Sequence, residues 1–421
     1  MIMNRFIKGF QDKQFGLLGE HLSHSFSPQI HSMLADYPYA LYEVEKENLG
    51  EWANTCNLAG FNVTIPYKQD IMQYCAEISP QAQMIGAVNT VVRRSDGTLY
   101  GDNTDYYGFM YMLDSLNVDI KGKKAVILGG GGASKTVQAV LKSKGAEYVV
   151  VDLNLENNYT NIHLHFDASL IVNATPVGMY PKTGASLVDL KNFPKCEGVC
   201  DVIYNPARTA LLLKAEKLGI PCVNGLSMLV AQAKKACEIF TDNEISDEVI
   251  EEIRIKVARQ TMNVVLVGMP GSGKSTVGRL VAEVLSRPFV DADEEITRVT
   301  GRTPSEIITE DGERAFRLVE TEVLTNLCKE SGYVIATGGG AVTILENKDI
   351  IRQNAGVIFL ERNIELLPKE GRPLSNDLKA MYEKRLPMYK DFSHRTVDGN
   401  GQISDVAARV IAAFAEVVYE N

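Results

Sequence analysis

The amino-acid sequence predicts an α/β protein in which more than one parallel sheet binds a nucleotide. Two glycine-rich turns are the main evidence. Residues 129–134 follow the apolar run 125–128, and residues 268–275 follow the apolar run 263–267, with a helical pattern directly after each turn. A strand, a glycine-rich turn and a helix in this order are typical of nucleotide-binding α/β units. The chain of 421 residues is also too long for one core, so two or three domains are expected.

The composition excludes several classes of protein. Hydrophobic residues make up 45% of the chain and charged residues 23%, which is typical of a globular protein. No apolar stretch approaches the roughly 18 residues of a membrane span, and the N-terminal residues lack the apolar segment of a secretory signal. The net charge of −10 argues against a nucleic-acid partner. The cysteines show neither zinc-site nor disulfide spacing, so a cytoplasmic protein with reduced thiols is expected.

The first segment, residues 15–106, predicts an α/β domain. Short apolar runs alternate there with helical stretches at 29–35, 46–55 and 69–77. Such alternation is the pattern of strands and helices that pack on one another. We therefore expect a sheet in this segment, covered by these helices.

Two polar clusters stand out in this segment, at residues 62–68 and 101–105. Read locally, each is a strand end followed by ordinary turn residues. Read chemically, Lys68 and Asp105 supply an ammonium and a carboxylate on neighbouring loops. Such a pair is able to relay a proton to a reacting oxygen, and the local sequence leaves both interpretations open.

The second segment predicts a doubly wound nucleotide-binding domain. Its expected elements are a helix over 108–124, a strand at 125–128, a helix from the glycine run through Lys144, and strands at 148–151, 170–172 and 199–203. This succession of βαβ units forms an open parallel sheet. A charged helical pattern over 242–260 follows, and the next domain boundary is expected near 260–263.

The glycine run at the end of the first of these strands is a candidate dinucleotide site. A pyrophosphate fits the N-terminus of the helix that follows such a turn. The next strand ends in Asp152, whose carboxylate would accept hydrogen bonds from a ribose 2′-OH. Glycine runs also form plain tight turns, and aspartate is also a common turn residue. The candidate cofactor-binding residues are Gly129, Gly130, Gly131, Gly132, Ala133, Ser134 and Asp152.

The third segment begins with a phosphate-binding loop. Residues 268–275 fit the pattern G-x-x-x-x-G-K-[ST] between a strand and a helical pattern, which is the context that supports this motif. Backbone N–H groups of such a loop face phosphate oxygens, Lys274 reaches the outer phosphates, and the Ser275 hydroxyl is a ligand for Mg²⁺. The predicted ATP-binding residues here are Gly271, Ser272, Gly273, Lys274, Ser275 and Thr276. A regulatory guanine-nucleotide switch is disfavoured because no Asn-Lys-x-Asp motif occurs.

Taken in order, the motifs of the first two segments resemble shikimate dehydrogenase over about residues 15–258. The motifs that carry the resemblance lie at 24–28, 62–68, 86–90, 101–105, 173–179 and 225–233. The resemblance implies that Lys68 and Asp105 form the catalytic pair, in which the lysine donates a proton to a developing alkoxide. It also implies that Ser25 and Ser27 hold the substrate carboxylate. The ring hydroxyls would be bound by Thr64, Asn89, Asp105 and Gln232.

Three features depart from that family's pattern. Tyr106 follows the 101–105 motif where the family has glycine, so the backbone there must avoid conformations open only to glycine. About 20 residues separate Asp152 from Asn173, roughly half the family spacing, so a crossover helix on the adenosine side is expected to be missing or reduced. The relatives that use NADPH carry an arginine where residues 152–154 read Asp-Leu-Asn. The family default is therefore NADP, whereas the local residues favour NAD.

The third segment resembles shikimate kinase over residues 263–421. Beyond the phosphate loop, the motifs that carry the resemblance lie at 291–293, 312–317, 336–340, 372–374 and 385–389. The resemblance implies that Asp293 contacts the hydroxyl to be phosphorylated and that Asp291 lies near Mg²⁺. Arg317 and Arg385 would clamp the substrate carboxylate, for which planar guanidinium groups are suited.

The same resemblance assigns two further groups of residues. Gly338, Gly339 and Gly340 would supply backbone contacts to the substrate. Arg372 would act on ATP and on the transferred phosphate from a mobile lid. The lid segment, residues 363–375, is several residues shorter than in many relatives.

The sequence therefore predicts a shikimate-dehydrogenase-like α/β substrate domain and a Rossmann-type nucleotide domain, fused to a P-loop kinase domain with a parallel sheet. The expected boundaries are 1–106 (completed by 225–260), 107–224 and 263–421. The expected activities are NADP- or NAD-dependent reduction of 3-dehydroshikimate to shikimate and phosphorylation of shikimate by ATP and Mg²⁺. An alternative keeps the kinase and makes the first half a cofactor-poor substrate-binding or regulatory module.

Overall fold

The computed structural model describes residues 6–22, 25–367 and 378–420. The predicted α/β class is confirmed, because three sheets alternate with helices along the chain. The chain divides into two compact units: the first holds residues 1–177, 187–204 and 214–254, and the second holds 178–186, 205–213 and 255–421. The three domain boundaries expected from the sequence stay a prediction.

The first unit begins with a six-stranded mixed sheet. Its strands are β1 (Phe15–Gly19), β2 (Tyr39–Glu43), β3 (Gly60–Val63), β4 (Glu77–Ile78), β5 (Thr90–Arg93) and β6 (Leu99–Asp102). The strand order is β2-β1-β3-β5-β6-β4, with β5 antiparallel to both of its neighbours. The helices are α1 (Ser27–Leu34), α2 (Leu49–Thr55), α3 (Pro80–Ile85) and α4 (Asp105–Ser115).

The helical stretches expected in this segment are confirmed in two of three places. The stretch expected at 46–55 is the 3₁₀ helix Lys46–Asn48 followed by α2. The helix expected at 69–77 is wrong, because only the 3₁₀ helix Asp70–Tyr74 forms. Cys75 then adopts an extended conformation, and the chain continues into β4 at the edge of the sheet.

The second sheet is fully parallel, as expected for a doubly wound domain. Its strands are β7 (Lys124–Leu128), β8 (Glu147–Val151), β9 (Leu170–Asn173), β10 (Gly198–Asp201) and β11 (Cys222–Asn224), in the order β11-β10-β9-β7-β8. The helices along this part of the chain are α5 (Gly132–Ser143), α6 (Ala210–Lys217), α7 (Leu226–Thr241) and α8 (Glu248–Thr261). Because β7 pairs with both β8 and β9, the glycine turn after β7 lies where the strand order reverses. Ligands bind at this point in such sheets.

Two expectations for this part of the chain have different outcomes. The helix expected over 108–124 is wrong at its end, because α4 stops at Ser115 and Asn117 has a positive φ of 54°. The second expectation, that a crossover helix is missing or reduced, is confirmed. Between β8 and β9 the structure has only the 3₁₀ helix Ile162–His165.

The third sheet lies in the second unit and is also parallel. Its strands are β12 (Asn263–Val267), β13 (Phe289–Asp291), β14 (Val334–Ala336), β15 (Ala355–Glu361) and β16 (Arg395–Asp398), in the order β13-β14-β12-β15-β16. The helices are α9 (Lys274–Leu285), α10 (Ala292–Thr300), α11 (Pro304–Asp311), α12 (Glu313–Leu327), α13 (Glu346–Arg352), α14 (Leu378–Phe392) and α15 (Ile403–Glu420). Every residue of β12 is buried, which is why residues 264–267 form a continuous apolar run. Within the described part of the chain, none of the helices has the length and apolar character of a membrane span.

Candidate active sites

The Lys68 and Asp105 side chains form an ion pair in the first unit. Lys68 Nζ donates to Asp105 Oδ2 at 2.6 Å, and the two side chains are 30% and 16% exposed. The backbone carbonyl of Lys68 accepts a hydrogen bond from the Val88 N–H, which fixes the turn after β3. Asp105 is the first residue of α4, where the positive end of the helix dipole favours a carboxylate. The pair holds a proton donor at a place that a substrate is able to reach.

Thr104 joins two of the predicted substrate-binding residues. Its backbone N–H donates to Asn89 Oδ1 at 2.7 Å, and its hydroxyl donates to Gln232 Oε1 at 3.5 Å. Thr104 and Asn89 are only 1% and 3% exposed, so the bond between them is shielded from water. Because Asn89 Oδ1 accepts from Thr104, the amide orientation is fixed, with its Nδ2 donor on the other side. The structure thus brings Asn89, Gln232 and Asp105 together around one buried threonine.

The predicted carboxylate-binding serines lie at the start of α1. Ser25 Oγ accepts a hydrogen bond from the Ser27 N–H at 3.2 Å. The Ser27 hydroxyl bonds to Tyr39, whose own hydroxyl donates to Asn62 Oδ1 at 2.8 Å. Thr64 follows β3, and its N–H donates to the Leu18 carbonyl at 2.9 Å. His24 of the same motif lies outside the described residues.

Tyr106 fits the backbone that the family forms with glycine. It lies in the first turn of α4, after Thr104 and Asp105, so its backbone is helical. The constraint expected at this position is therefore met without a glycine.

The glycine turn after β7 has the shape of a pyrophosphate cradle. Gly129 has a φ of +100°, and a Cβ there would lie 2.5 Å from the Thr175 methyl group, so only glycine fits. A Cβ on Gly131 or Gly132 would have nothing within 4 Å, which leaves the outer side of the turn open. α5 begins at Gly132, so its first N–H groups and its dipole face this opening. The turn therefore fits the pyrophosphate of a dinucleotide.

The Asp152 carboxylate lies against this turn. Its Oδ2 accepts the Gly130 N–H at 2.8 Å and its Oδ1 accepts the Asn154 N–H at 3.3 Å. Leu153 is 79% exposed beside it, and the sequence has no lysine or arginine between Lys144 and Lys182. This segment therefore offers a carboxylate to the adenosine end of a cofactor and no cation for a 2′-phosphate.

The P-loop has the backbone geometry that its motif predicts. Gly268, Gly271 and Gly273 have φ values of +155°, +79° and +97°, a region that favours glycine. Lys274 is only 7% exposed. Its Nζ donates to the carbonyls of Gly268 and Met269 at 3.0 Å each, which holds the ammonium over the loop. The loop and its lysine are thus arranged to receive phosphate oxygens.

Ser275 and Asp291 supply the oxygen atoms expected of a magnesium site. Ser275 Oγ donates to Asp291 Oδ2 at 2.5 Å, and Asp291 Oδ1 caps α10 by accepting the Asp293 N–H at 3.0 Å. A hydroxyl and a carboxylate are ligands that Mg²⁺ prefers, so the pair fits this cation. Asp293 is exposed in the first turn of α10.

The three glycines after β14 pack directly against the other predicted kinase residues. A Cβ on Gly338 would lie 2.5 Å from Glu320 Oε1, and one on Gly340 would lie 2.1 Å from Arg317 Nη2. A Cβ on Gly339 would lie 2.6 Å from the ring of Pro270 in the P-loop. Close approach is therefore the reason for all three glycines.

Arg317 is held by carboxylates on its own helix. Its Nη1 donates to Glu320 Oε2 at 2.6 Å and its Nη2 donates to Glu313 Oε1 at 3.0 Å. Glu320 is fully buried, and burial raises the pKa of its carboxyl, which the Arg317 guanidinium opposes. Within the described residues, the Oε1 atom of Glu320 has no hydrogen-bond partner. The buried Glu320 carboxylate therefore holds the Arg317 guanidinium in a fixed position.

Arg385 reaches the same glycines from α14. Its Nη1 donates to the Gly339 carbonyl at 3.2 Å, and Tyr389, one helical turn later, donates its hydroxyl to the same oxygen at 2.5 Å. Arg385 and Arg317 thus contact neighbouring glycines, as two halves of a carboxylate clamp would. Arg372 and most of the predicted lid lie outside the described residues.

Comparison with known proteins gives the family. A shikimate dehydrogenase (NADP(+)) from Clostridium perfringens (strain 13 / Type A) is 37% identical over 270 residues, which cover 58% of this chain and 99% of that protein. The chain belongs to the shikimate dehydrogenase family. A family model for the shikimate dehydrogenase substrate binding domain matches residues 17–91, and one for shikimate kinase matches residues 270–415. The predicted combination of a shikimate dehydrogenase with a shikimate kinase domain is confirmed.

Solved structures agree for the dehydrogenase part. A chorismate mutase/shikimate 5-dehydrogenase fusion protein from Clostridium acetobutylicum has a TM-score of 0.55 at 38% identity, covering 58% of this chain and 97% of that one. Shikimate 5-dehydrogenase from Thermus thermophilus, in complex with NADP(H) and shikimate, has a TM-score of 0.52 at 30% identity, covering 58% and 99%. Of the three relatives described above, the two that are named with a cofactor are named with NADP(+) or NADP(H), so neither of them supports NAD.

Several residues at these sites were not among the residues predicted from the sequence. Thr104 belongs to the motif at residues 101–105, but its contact with Gln232 spans 128 positions of sequence. Glu320 looks like an ordinary helical glutamate, although its position three residues after Arg317 was a signal that it shares a helix face. Arg362, after β15, lies beside the P-loop, with its Nη1 3.6 Å from the point that a Cβ on Gly273 would occupy, and it belongs to no motif.

Proposed function

We propose that this chain catalyses two consecutive reactions on one small molecule. The first half reduces 3-dehydroshikimate to shikimate with a nicotinamide cofactor, and the second half phosphorylates shikimate to shikimate 3-phosphate with ATP and Mg²⁺. The 2.6 Å contact between Lys68 and Asp105 is the observation that carries the dehydrogenase assignment. The proposal includes a cytoplasmic location, which the sequence suggested.

In the dehydrogenase, Lys68 is the proton donor. A nicotinamide bound at the glycine turn would supply the hydride to the substrate carbonyl carbon, and negative charge would then develop on the carbonyl oxygen. Lys68 Nζ gives its proton to that oxygen, and Asp105 keeps the ammonium in place. In the reverse direction the neutral lysine accepts the hydroxyl proton. Only a positioned donor within hydrogen-bond distance of the oxygen performs this step.

Neutral groups bind the rest of the substrate in this half. Ser25 and Ser27 present hydroxyl groups to the substrate carboxylate. Asn89 and Gln232, both hydrogen-bonded to Thr104, present amide groups to the ring hydroxyls. Thr64, four residues before Lys68, also binds the ring hydroxyls. A site built to bind hydroxyl groups rejects analogues that lack them, because its own polar groups would remain unpaired.

In the kinase, the protein positions two anions and offsets their charge. Lys274 and the P-loop amides hold the phosphates, Ser275 and Asp291 hold Mg²⁺, and Arg372 acts from the lid. Arg317 and Arg385 hold the shikimate carboxylate, and Gly338, Gly339 and Gly340 provide backbone contacts. Asp293 accepts the proton of the attacking hydroxyl. Phosphoryl transfer depends on such positioning and charge neutralisation, because the protein forms no covalent bond to the phosphate.

The cofactor preference is a separate part of the proposal. The named relatives use NADP, yet in this chain Asp152 lies at the glycine turn and the following segment carries no cation. We propose that NAD(H) supports measurable turnover here. The test compares kcat/KM for NADPH and NADH in wild type and in Asp152→Asn. Absence of measurable NADH turnover would contradict the proposal, and a tenfold or greater wild-type preference for NADPH would show that Asp152 points away from the ribose.

The shortened segment between β8 and β9 also supports a second candidate, in which the first half binds substrate without turning it over. One coupled assay separates the two candidates. The intact protein is given 3-dehydroshikimate, NADPH or NADH, and ATP with Mg²⁺. Under the first proposal, cofactor oxidation is followed by ADP release. If ADP release requires added shikimate and no cofactor is oxidised, the second candidate is correct.

A further inference from the structure

A cavity of about 420 Å³ lies beside the P-loop. One wall is formed by the P-loop and the first turn of α9. The opposite wall is formed by Arg362 and Leu366, which belong to the segment directly after β15. The P-loop wall is the one that the kinase assignment explains. The other wall presents a cation and an aliphatic side chain that no motif accounts for.

The Arg362 guanidinium lies close to the backbone of the P-loop. Its Nη1 is 3.6 Å from the point that a Cβ on Gly273 would occupy. Its Nε atom is buried and has no hydrogen-bond partner among the residues that the structure describes. A buried N–H donor without a partner is costly, and a guanidinium presents five N–H donors in a fixed plane. The guanidinium also lines the cavity, so an anion there would pair with its charge and with its terminal N–H groups.

We propose that Arg362 binds the polyphosphate of the nucleotide opposite the P-loop amides, and that Leu366 covers the adjacent apolar part of the nucleotide. This inference rests on the proposed kinase function. The phosphates, rather than the base, are the expected partner because Gly273 and Lys274 face them in a P-loop. Arg362 precedes the lid segment 363–375, so its contact with the nucleotide is independent of that segment, to which Leu366 belongs.

Nucleotide binding tests this assignment without turnover. Dissociation constants of ATP, ADP and inorganic tripolyphosphate are measured by calorimetry on the full-length wild type, Arg362→Ala and Arg362→Lys. Adenosine is measured as the phosphate-free probe. The matched control is Arg298→Ala, an exposed arginine paired with Glu295 in the same unit.

The expected result follows from the chemistry of the contact. Arg362→Ala should weaken ATP, ADP and tripolyphosphate about 10- to 100-fold, the range of a charge-assisted hydrogen bond, and leave adenosine unchanged. Arg362→Lys should retain part of the affinity because it keeps the charge. ATP affinity within twofold of wild type in Arg362→Ala would overturn the proposal, as would an equal loss for adenosine. Failure of the kinase proposal is a different result: wild type binds ATP and does not phosphorylate shikimate.

Discussion

Replacing Lys68 by alanine is the sharpest test of the dehydrogenase mechanism. Lys68 Nζ lies 2.6 Å from Asp105 Oδ2 and its side chain is 30% exposed. An ion pair with this exposure contributes only about 0–1 kcal/mol to folding, so the variant should fold. Loss of a positioned proton donor lowers turnover by roughly 10²- to 10⁴-fold, which corresponds to about 3–5 kcal/mol of transition-state stabilisation. The expected effect is therefore on kcat, with a small change in substrate KM.

The assay follows nicotinamide absorbance during shikimate oxidation and during the reverse reduction. Each preparation contains its own control, because phosphorylation of shikimate by the same Lys68→Ala sample should proceed at the wild-type rate. A second control is Lys46→Ala, which removes an exposed lysine paired with Asp70 at 3.7 Å in the same unit. Shikimate oxidation by Lys68→Ala at more than a tenth of the wild-type rate would refute the assigned role.

Three further predictions concern the kinase site and the stability of the first unit. Lys274→Ala should abolish phosphorylation and leave shikimate oxidation unchanged, which parallel assays of the two activities check. Arg317→Ala should raise the shikimate KM of the kinase with ATP affinity unchanged, and Gly340→Ala should do the same, because its Cβ would lie 2.1 Å from Arg317 Nη2; an unaltered KM in both would show that the clamp is misplaced. Burial lowers the pKa of His31 from 6.5 to about 3, so its contribution to stability is present above pH 6.5 and is lost as the pH falls towards 3. Over that range the free energy of unfolding of wild type should fall by up to about 1.4 kcal/mol per pH unit more steeply than that of His31→Phe. Fluorescence of Trp52, the one tryptophan of the chain, reports on this unit, and parallel slopes would contradict the assignment.

The sequence predicted the parts of the fold that depend on local pattern. The strand at 263–267 has the observed bounds, because a buried parallel strand is a continuous apolar run. The P-loop was predicted residue by residue, because its glycines are required by the backbone itself. Helix ends were less well predicted. Helix α4 ends at Ser115, whereas the apolar and charged residues after it predicted a helix up to residue 124.

Long-range contacts could not be predicted. Glu320 becomes a site residue only because β14 brings Gly338 to within contact distance of its carboxylate. The segments 178–186 and 205–213 group with the second unit, although their sequence suggested the nucleotide domain of the first. For example, the Arg208 N–H donates to the Gln353 carbonyl at 2.8 Å, a contact across 145 positions, from 208 to 353. Pairings of this kind follow from tertiary packing and leave no periodicity in the sequence.

The two candidate sites would recognise the same carboxylate by different means, and the difference follows from the second ligand of each site. In the first unit the proposed partners are the neutral hydroxyls of Ser25 and Ser27, and the proposed proton donor, Lys68, is paired with Asp105. A single proton transfer needs no further positive charge. In the second unit the proposed substrate would approach a triphosphate, so its anionic carboxylate would need positive charge to offset the repulsion, and Arg317 and Arg385 are the guanidinium groups proposed to supply it. The buried Glu320 carboxylate holds the Arg317 guanidinium in place, because it accepts a hydrogen bond from Arg317 Nη1 at 2.6 Å.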